Sequence, residues 1–266
     1  MKQLIVNADD FGFTRDVNRG IVEAHLQGIL TSTTLMGDTR TNPAAFADAV
    51  ALAMQHPTLD VGCHLVLVES PPFPRTIPRL VTSVLLGRIQ IYEAFAAQVR
   101  RIMDAGIAPT HLDTHKHTHL LPQVLEAVAR VSQEFKIPWV RRPFDFLEQP
   151  GGIGWKNKLM HLRGNGFEKT LSKYGCRSTD WFSGFAVTGT FDTAKLVAII
   201  RALPEGTTEF MCHPGVLGDE LRRAPGRLIE SRAAELQALT SKQVRAALDE
   251  AGVELTNFRE LTSDPD

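Results

Sequence analysis

Short runs of apolar and β-branched residues alternate along the chain with longer segments in which apolar residues recur every three or four positions. The first pair is typical: Leu4–Val6 predicts a strand that leads into a loop over 7–12, and residues 16–26 predict a helix that ends near Gly28. Further strands are predicted over 31–36, 60–68, 110–114, 139–141, 181–188, 207–212 and 253–255, and further helices over 43–54, 93–105, 122–135, 192–203 and 230–251.

This alternation predicts a single-domain α/β fold. Seven or eight strands separated mostly by helices favour a closed or nearly closed (β/α) barrel-like sheet, and an open doubly wound sheet is the alternative. One domain is expected over residues 1–266, with insertions near 70–91 and 150–179. The first insertion is rich in proline and the second in glycine and basic residues. Such excursions are often lids or binding loops, and plain surface insertions are the simpler alternative.

Composition narrows the class of protein. The 266 residues are 43% hydrophobic, and 29 basic against 30 acidic residues give a net charge of -1. A nucleic-acid binder would show a basic excess, so no nucleic-acid partner is expected. No apolar run approaches the length of a bilayer span or a signal peptide. Three cysteines imply no disulfide framework, with Cys63 and Cys212 expected in the core and Cys176 in a loop. The expected location is the cytoplasm.

Polar residues able to do chemistry collect on or just after the predicted strands. Asp9 and Asp10 follow the first strand, His64 lies in the third, and His213 follows the strand over 207–212. The fourth strand and its continuation carry alternating polar residues, and the fifth ends in arginine: His111, Asp113, His115, His117, His119 and Arg141. Because active sites of α/β barrels form at the carboxyl ends of the strands, these residues are expected to meet in one site.

The odd-numbered residues from 111 to 119 would share one face if the segment were extended. Such a segment spans about 30 Å, so one or two of its histidines are expected to bind a cation and the others to support them or contact substrate. Asp113 is a candidate partner for the second ring nitrogen of a ligating histidine. A buried, hydrogen-bonded histidine cluster and a histidine-rich surface are the alternatives.

One aspartate and two histidines suit a catalytic divalent cation. Such an ion activates water and polarises a carbonyl oxygen, while a free carboxylate takes a proton and an imidazolium protonates the leaving group. This set predicts hydrolysis of an amide or ester without a covalent intermediate. The alternatives are a metal-dependent phosphohydrolase and a binding protein with a decayed site. The latter is disfavoured because all the candidate residues are present: Asp9, Asp10, His64, His115 and His213.

Four sequence motifs occur along the chain, at residues 7–12 (NADDFG), 62–64 (GCH), 110–122 (THLDTHKHTHLLP) and 211–214 (MCHP). In this combination and order they resemble the YdjC family of carbohydrate deacetylases. The resemblance implies a (β/α) barrel-like fold and a hydrolase of a linear amide bond that removes the acetyl group from an N-acetylated amino sugar. It also implies that Asp10, His64 and His115 bind the metal. Asp9 matches the family's catalytic carboxylate, and His213 matches its proposed general acid.

The same resemblance bears on three further residues and on the cofactor. Arg141 matches an arginine that orients the carboxylate of Asp9 or balances its charge. His117 and His119 match motif positions that leave open whether they bind substrate or support other residues. The expected cofactor is one divalent cation, magnesium or zinc. The family is described with magnesium, whereas one carboxylate and two imidazoles chemically suit zinc, iron or cobalt.

Residues 179–185 and 203–214 are similar to the hopanoid-biosynthesis (HpnK-like) subgroup, which implies an N-acetylglucosaminyl hopanoid as substrate. A chitooligosaccharide is the alternative. Within 151–177, Trp155, Leu159 and Leu162 share one helical face. Basic residues surround them: Lys156, Lys158, Arg163, Lys169, Lys173 and Arg177. A basic amphipathic helix predicts peripheral contact with the inner membrane face and a lipid-linked substrate, and a solvated charged face is the alternative. A homodimer is one option for the assembly.

Overall fold

Parallel strands form one curled sheet in the computed structural model, which describes residues 1–38, 40, 42–152 and 154–263, except for the side chain of Lys156. The strands are β1 (Lys2–Phe11), β2 (Ser32–Met36), β3 (Asp60–Leu65), β4 (His111–Thr114), β5 (Trp139–Val140), β6 (Trp181–Ser183), β7 (Gly206–Cys212) and β8 (Val253–Leu255). Seven of them follow the order β5-β4-β3-β2-β1-β7-β6, and β8 pairs with the start of β1. This curled half-barrel of parallel strands confirms the predicted barrel-like α/β fold.

The two ends of the sheet meet through irregular segments. Trp139 of β5 forms a parallel bridge with Arg177, and Asp145 forms one with Phe182 of β6. The backbone N–H of Phe146 also donates to the carbonyl of Phe182 at 2.9 Å. The barrel is therefore joined across β5 and β6 by short bridges rather than by a continuous ladder.

Helices follow most of the strands, as the alternation of the sequence predicts. They are α1 (Arg15–Gln27), α2 (Pro43–Gln55), α3 (Ile77–Leu85), α4 (Ile91–Asp104), α5 (Pro122–Phe135), α6 (Trp155–His161), α7 (Gly164–Lys173), α8 (Thr193–Arg201), α9 (Asp219–Arg223), α10 (Glu230–Leu239), α11 (Lys242–Ala251) and α12 (Phe258–Ser263). Side chains cap several helix starts: Thr14 accepts the N–H of Val17, and Asp192 accepts that of Lys195. Within the described ranges, no helix is long and apolar enough to cross a membrane.

The barrel interior is layered from apolar to charged along β1. Side chains of a strand alternate between its two faces, and Leu4, Val6 and Ala8 join the core shared with the helices. Ile5 lies on the other face, where it packs with Trp139 and Phe258 at the amino end of the barrel. Two residues further on the interior becomes polar, and at the carboxyl end it becomes charged.

The change from an apolar to a polar interior occurs at Asn7 and Asp9. The side-chain oxygen of Asn7 lies 2.9 Å from His111 Nε2, and Asp9 contacts Arg141. Both residues are buried in the strand, which continues to Phe11. The predicted loop over 7–12 is therefore wrong for residues 7–11, because their polar side chains pair inside the barrel instead of meeting solvent.

Three other element predictions differ from the structure by three residues or more, and the first of them, the strand expected over 60–68, ends at Leu65. The strand expected over 181–188 ends at Ser183, because Gly184 has a φ of 127° that no strand continues. The single helix expected over 230–251 is two helices, interrupted at Thr240 and Ser241, where the Ser241 side chain caps α11 by accepting the N–H of Gln243. The segment over 70–91 contains α3, and the described part of 150–179 contains α6 and α7.

Candidate active site

Two adjacent carboxylates reach the same site because β1 is irregular at its carboxyl end. Regular alternation would turn Asp9 and Asp10 to opposite faces of the sheet. The register between β1 and β2 shifts between Ala8 and Phe11, and Asp10 adopts a left-handed backbone with a φ of 70°. Non-glycine residues in this conformation cost free energy and cluster at functional sites. Here the conformation brings the Asp10 carboxylate to the opening of the barrel beside that of Asp9.

Asp10, His64 and His115, named here the Asp10 triad, bring three ligand atoms together. The distance from His64 Nε2 to Asp10 Oδ1 is 3.5 Å, and that from His115 Nδ1 to the same oxygen is 3.4 Å. The two ring nitrogens lie 3.2 Å apart. Ligand atoms at about 2.1 Å from one cation are about 3.0–3.4 Å apart at tetrahedral or octahedral angles. Donor types and spacing therefore fit a single divalent cation.

Neighbouring carboxylates fix which ring nitrogen each histidine presents. His64 Nδ1 lies 2.7 Å from Asp113 Oδ1, so its Nε2 stays available for a cation. Thr34 donates to the other oxygen of Asp113 at 3.1 Å. His115 Nε2 lies 3.4 Å from Glu69 Oε2, which leaves Nδ1 as the ligand atom. The two histidines thus face the site through different nitrogens.

Arg141 lies buried among three carboxylates below the Asp10 triad. Its two terminal nitrogens donate to the two oxygens of Asp9 at 2.8 and 2.7 Å, and its Nε donates to Glu209 at 2.8 Å. Nη1 also lies 2.6 Å from Asp113 Oδ2. One guanidinium therefore compensates the charges of Asp9, Asp113 and Glu209 in a place that solvent does not reach.

These contacts set the ionisation of the carboxylates. Burial alone would raise the pKa of Asp9, but the charge and hydrogen bonds of Arg141 outweigh burial and hold this pKa well below its usual range. Burial raises the pKa of Glu209 to about 7 despite its single hydrogen bond from Arg141. Asp9 is thus ionised at neutral pH, in the form that accepts a proton.

A second group of potential ligands, Asp9, His64 and Asp113, lies deeper in the barrel. Its charge is already balanced, because Arg141 contacts both Asp9 and Asp113. A metal ion there would have to displace the guanidinium. Of the two groups, the Asp10 triad is the better candidate for a cation.

His213 faces this site from the loop after β7. Its Nε2 lies 4.0 Å from Asp9 Oδ2. Its backbone N–H donates to Glu235 Oε2 at 2.5 Å. Its Nδ1 is buried and makes no hydrogen bond to the described residues. Burial lowers the pKa of His213 to about 4, so the imidazole is neutral at pH 7.

The loop that carries His213 is packed tightly against the outer helices. The N–H of Gly215 donates to the carbonyl of Arg232 in α10 at 3.1 Å. On its other side Gly215 meets Gly20 of α1, where a Cβ added to Gly20 would lie 2.5 Å from the Gly215 Cα. Two glycine backbones are therefore in direct contact behind His213.

The histidine-rich segment is extended only as far as Thr114. Lys116 and His117 have left-handed φ values of 56° and 51°, and residues 115–120 form a tight turn. The expectation that all odd-numbered residues from 111 to 119 share one face therefore fails after Asp113. His111 lies at the polar layer, and Gly62 approaches it closely, since a Cβ there would lie 2.7 Å from the His111 ring.

The two later histidines of this turn have different surroundings. His119 uses both ring nitrogens on the scaffold: Nδ1 lies 2.5 Å from Thr114 Oγ1, and Nε2 lies 3.1 Å from the carbonyl of Arg141. It therefore supports Arg141. The His117 ring lies 5.2 Å from that of Phe185, and its buried Nδ1 has no partner among the described residues. Of the two, His119 has both ring nitrogens engaged, and His117 keeps a buried nitrogen without a partner among the described residues.

Sequence reasoning missed three residues that touch the site. Arg232 Nη2 donates to Asp10 Oδ2, Glu235 accepts the N–H of His213, and Glu69 contacts His115. Arg232 and Glu235 are buried one helical turn apart on α10. The sequence does contain a sign that Arg232 and Glu235 are buried, since these oppositely charged residues lie three positions apart on the helix face that also carries Leu236 and Leu239. The expected packing role of Cys63 and Cys212 is confirmed, since both lie in the core.

Fold and site together define an α/β half-barrel with a candidate Asp-His-His cation site and a buried arginine–carboxylate network at the carboxyl ends of its strands. Comparison with known proteins assigns the chain further. Residues 3–250 match the model of the YdjC-like protein family, and the chain belongs to this family.

Similar proteins carry more specific names. A protein of Brevibacillus brevis named carbohydrate deacetylase is 32% identical over 271 residues, which cover 97% of this chain and 99% of that protein. A chitooligosaccharide deacetylase of Salmonella schwarzengrund is 32% identical over 275 residues, covering 97% and 98%. A crystal structure from Enterococcus faecalis V583, described as a cellobiose-phosphate cleavage protein, matches with a TM-score of 0.77 and 27% identity over 98% of both chains. The hopanoid subgroup stays a prediction.

Proposed function

We propose that the protein is a metal-dependent carbohydrate N-deacetylase. It hydrolyses the amide bond of an N-acetylglucosamine-containing substrate and releases acetate and a free amine. The observation that carries the proposal is the Asp10 triad, whose three ligand atoms lie 3.2–3.5 Å apart beside an ionised Asp9. The names of the relatives, carbohydrate deacetylase and chitooligosaccharide deacetylase, support an acetylated sugar as substrate.

Asp10 Oδ1, His64 Nε2 and His115 Nδ1 would hold the cation. When bound, a divalent cation supplies a Lewis acid for the acyl oxygen and lowers the pKa of water. Two neutral imidazole donors favour zinc over magnesium, which prefers oxygen ligands and near-ideal octahedral geometry. Asp113 and Glu69 orient the two imidazoles.

Asp9 and His213 would move the proton. Arg141 keeps Asp9 ionised, so this carboxylate accepts a proton and releases it readily. His213 is neutral at pH 7 because burial lowers its pKa to about 4, so it must gain a proton before it protonates the departing amine. Asp9 Oδ2, at 4.0 Å from His213 Nε2, is placed to supply this proton. His117, the histidine of this turn whose ring is not fully hydrogen-bonded, is the candidate contact to the sugar.

Mass spectrometry of diacetylchitobiose incubated with the protein tests the proposal. We expect loss of one acetyl group, abolished by a chelator and restored by Zn²⁺ more fully than by Mg²⁺. A parallel incubation with cellobiose phosphate tests the phosphohydrolase alternative, to which the description of the Enterococcus faecalis neighbour draws attention. Phosphate release without acetate release from any acetylated sugar would reject the deacetylase.

For the particular substrate, we propose an N-acetylglucosaminyl lipid taken from the inner membrane face. Helix α6 supports this because its polar side chains face inward and its apolar side chains face outward, the reverse of an ordinary surface helix. Asn157 and His161 point inward, where Asn157 donates to the Asp145 carboxylate and His161 Nε2 lies 2.9 Å from the Asp145 carbonyl. The outward face is apolar and exposed, at 72% for Trp155, 57% for Leu159 and 79% for Leu162.

Exposed basic residues lie next to this apolar face. Lys158, Arg163 and Lys169 are exposed, and anionic headgroups would complement them. Two of the basic residues expected to contribute are engaged elsewhere: Lys173 pairs with Glu126, and Arg177 stacks over the Trp139 ring. The Lys156 side chain lies outside the described residues.

Vesicle sedimentation tests the membrane contact. We expect salt-sensitive binding to phosphatidylglycerol vesicles that Leu159→Glu with Leu162→Glu abolishes. Leu26→Glu is the matched control, since Leu26 is 59% exposed near the end of α1, away from the insertion. All three proteins should release acetate from diacetylchitobiose equally. Equal binding by the two variants would refute the contact and leave the deacetylase proposal intact.

A further inference from the structure

Helix α10 carries two buried charged residues that have no part in the proton transfers proposed above. Arg232 is 3% exposed and Glu235 is fully buried. Charged residues are seldom fully buried unless they are paired. Both reach toward the candidate site, Arg232 to the Asp10 carboxylate and Glu235 to the backbone of His213.

Glu235 joins two loops at the carboxyl end of the barrel. Its Oε2 accepts the N–H of His213 at 2.5 Å, and its Oε1 accepts the N–H of Gly189 at 3.1 Å. His213 follows β7, and Gly189 lies in the loop after β6. The other end of that loop is held by Asp145, which accepts the N–H groups of Phe185 and Ala186 at 3.0 and 2.7 Å.

The turn that carries His213 depends on α10 for its backbone hydrogen bonds. Pro214 has no N–H, so the turn over 213–215 has only two backbone N–H donors, those of His213 and Gly215. The N–H of His213 goes to the Glu235 side chain, and that of Gly215 goes to the carbonyl of Arg232. Both anchors of the turn therefore lie on one helix, which also holds the second oxygen of Asp10 through the Arg232 side chain.

We infer that Glu235 is a positioning residue: it holds the His213 backbone so that the imidazole stays beside Asp9. The inference rests on the proposed function for its effect on turnover, and on geometry alone for the anchoring. Glu235 itself contacts the backbone of His213 rather than its ring. Its loss should therefore misplace His213 without removing a metal ligand.

Two substitutions separate positioning from proton chemistry. Glu235→Leu removes both acceptor oxygens, whereas Glu235→Gln keeps one. Asp145→Asn is the matched control, since Asp145 is also a buried carboxylate and holds the same loop after β6 but not His213. Thermal melts show which variants fold, and Glu235→Gln decides alone if Glu235→Leu does not fold.

Amide hydrogen exchange of His213, measured without metal, tests the anchor. We expect exchange in Glu235→Leu to be about 10-fold faster or more, because the N–H loses its acceptor, and exchange in Asp145→Asn to match the wild type. In acetate release from diacetylchitobiose with saturating Zn²⁺, we expect kcat of Glu235→Leu to fall about 10- to 100-fold. Zinc affinity should stay within about twofold, because His213 is not a candidate ligand. The kcat of Glu235→Gln should lie between those of the wild type and Glu235→Leu.

Either of two results would overturn the inference. One is a folded Glu235→Leu variant with unchanged exchange at His213 and unchanged kcat. The other is a Glu235→Gln variant whose kcat falls about 10-fold or more while His213 exchanges as slowly as in the wild type, since that would assign the role to the charge or proton of the carboxyl. A wild-type protein that releases no acetate would reject the proposed function, and amide exchange would still test the anchor.

Discussion

Replacing Arg141 by methionine should destabilise the protein strongly and in a pH-dependent way. The side chain is 1% exposed and contacts Asp9, Asp113 and Glu209 at 2.6–2.8 Å. Removing one partner of a buried ion pair costs about 3–5 kcal/mol, because the remaining charge is left uncompensated. In a domain of this size each kcal/mol lowers Tm by about 2–4 °C, so a fall of about 6–20 °C is expected.

The pH dependence of this loss follows from Asp9. Arg141 holds the pKa of Asp9 below its unfolded value of 3.8, so the contact stabilises the fold above that pH and its contribution disappears as pH falls through the folded pKa. The difference in unfolding free energy between wild type and Arg141→Met should therefore stay nearly constant from pH 8 to about pH 4 and shrink below pH 4. Urea unfolding at several pH values measures it.

Arg201→Met provides the matched control. Arg201 pairs with Glu250 at 2.8 Å, but the two side chains are 59% and 60% exposed. Exposed pairs of this kind contribute about 0–1 kcal/mol. An Arg141→Met variant that loses no more than Arg201→Met, or one whose deficit grows toward acid pH, would refute the account of Arg141 as the compensating charge.

Further expected outcomes concern the site and its supports. Asp10→Ala should lose zinc binding and acetate release together, whereas Asp9→Asn should keep zinc, measured by calorimetry, and lose turnover; full activity of Asp9→Asn would reject its role as proton acceptor. Gly62→Ala should cost about 1–3 kcal/mol in urea unfolding through overpacking against His111, and an unchanged midpoint would contradict the close approach. Burial raises the pKa of Glu209 from 4.5 to about 7, so its stabilisation is complete below 4.5 and lost as pH rises to 7. Glu209→Gln should therefore reduce the difference in stability between pH 5 and pH 8; an unchanged difference would exclude Glu209 as its source.

Much of the fold could be predicted from sequence because apolar periodicity encodes it directly. The strand at 253–255 and the helix over 122–135 have their predicted bounds. Because polar residues follow the predicted strands, the sequence also predicted that the residues of the Asp10 triad would lie at one end of the barrel. Such patterns are local, and each can be read within one element.

The misplaced elements share a physical cause. Asn7 and Asp9 look like loop residues, yet the barrel supplies His111 and Arg141 as buried partners, and the strand continues through them. Pairing across distant strands leaves no trace in the local pattern. The left-handed backbone at Lys116 and His117 is equally hard to predict, since no glycine or asparagine marks the turn over 115–120.

Arg232 and Glu235 show the same limit within a helix. In the sequence, two oppositely charged residues three positions apart on a helix indicate an exposed ion pair. Their burial follows from the loop after β7 lying over α10. Only the tertiary arrangement turns a surface pattern into an internal support.

The contact between Gly20 and Gly215 has a consequence for anyone who would reshape the opening of the barrel. A methyl group at Gly20 would lie 2.5 Å from the Gly215 Cα and must displace the turn behind His213 or α1, whereas one at Gly215 would meet the Arg232 side chain at 3.2 Å. Mutant libraries restricted to residues that line the opening would omit both positions. The space available to a bulkier sugar therefore depends partly on Gly20 and Gly215, whose lack of side chains lets the His213 turn pack closely against α1.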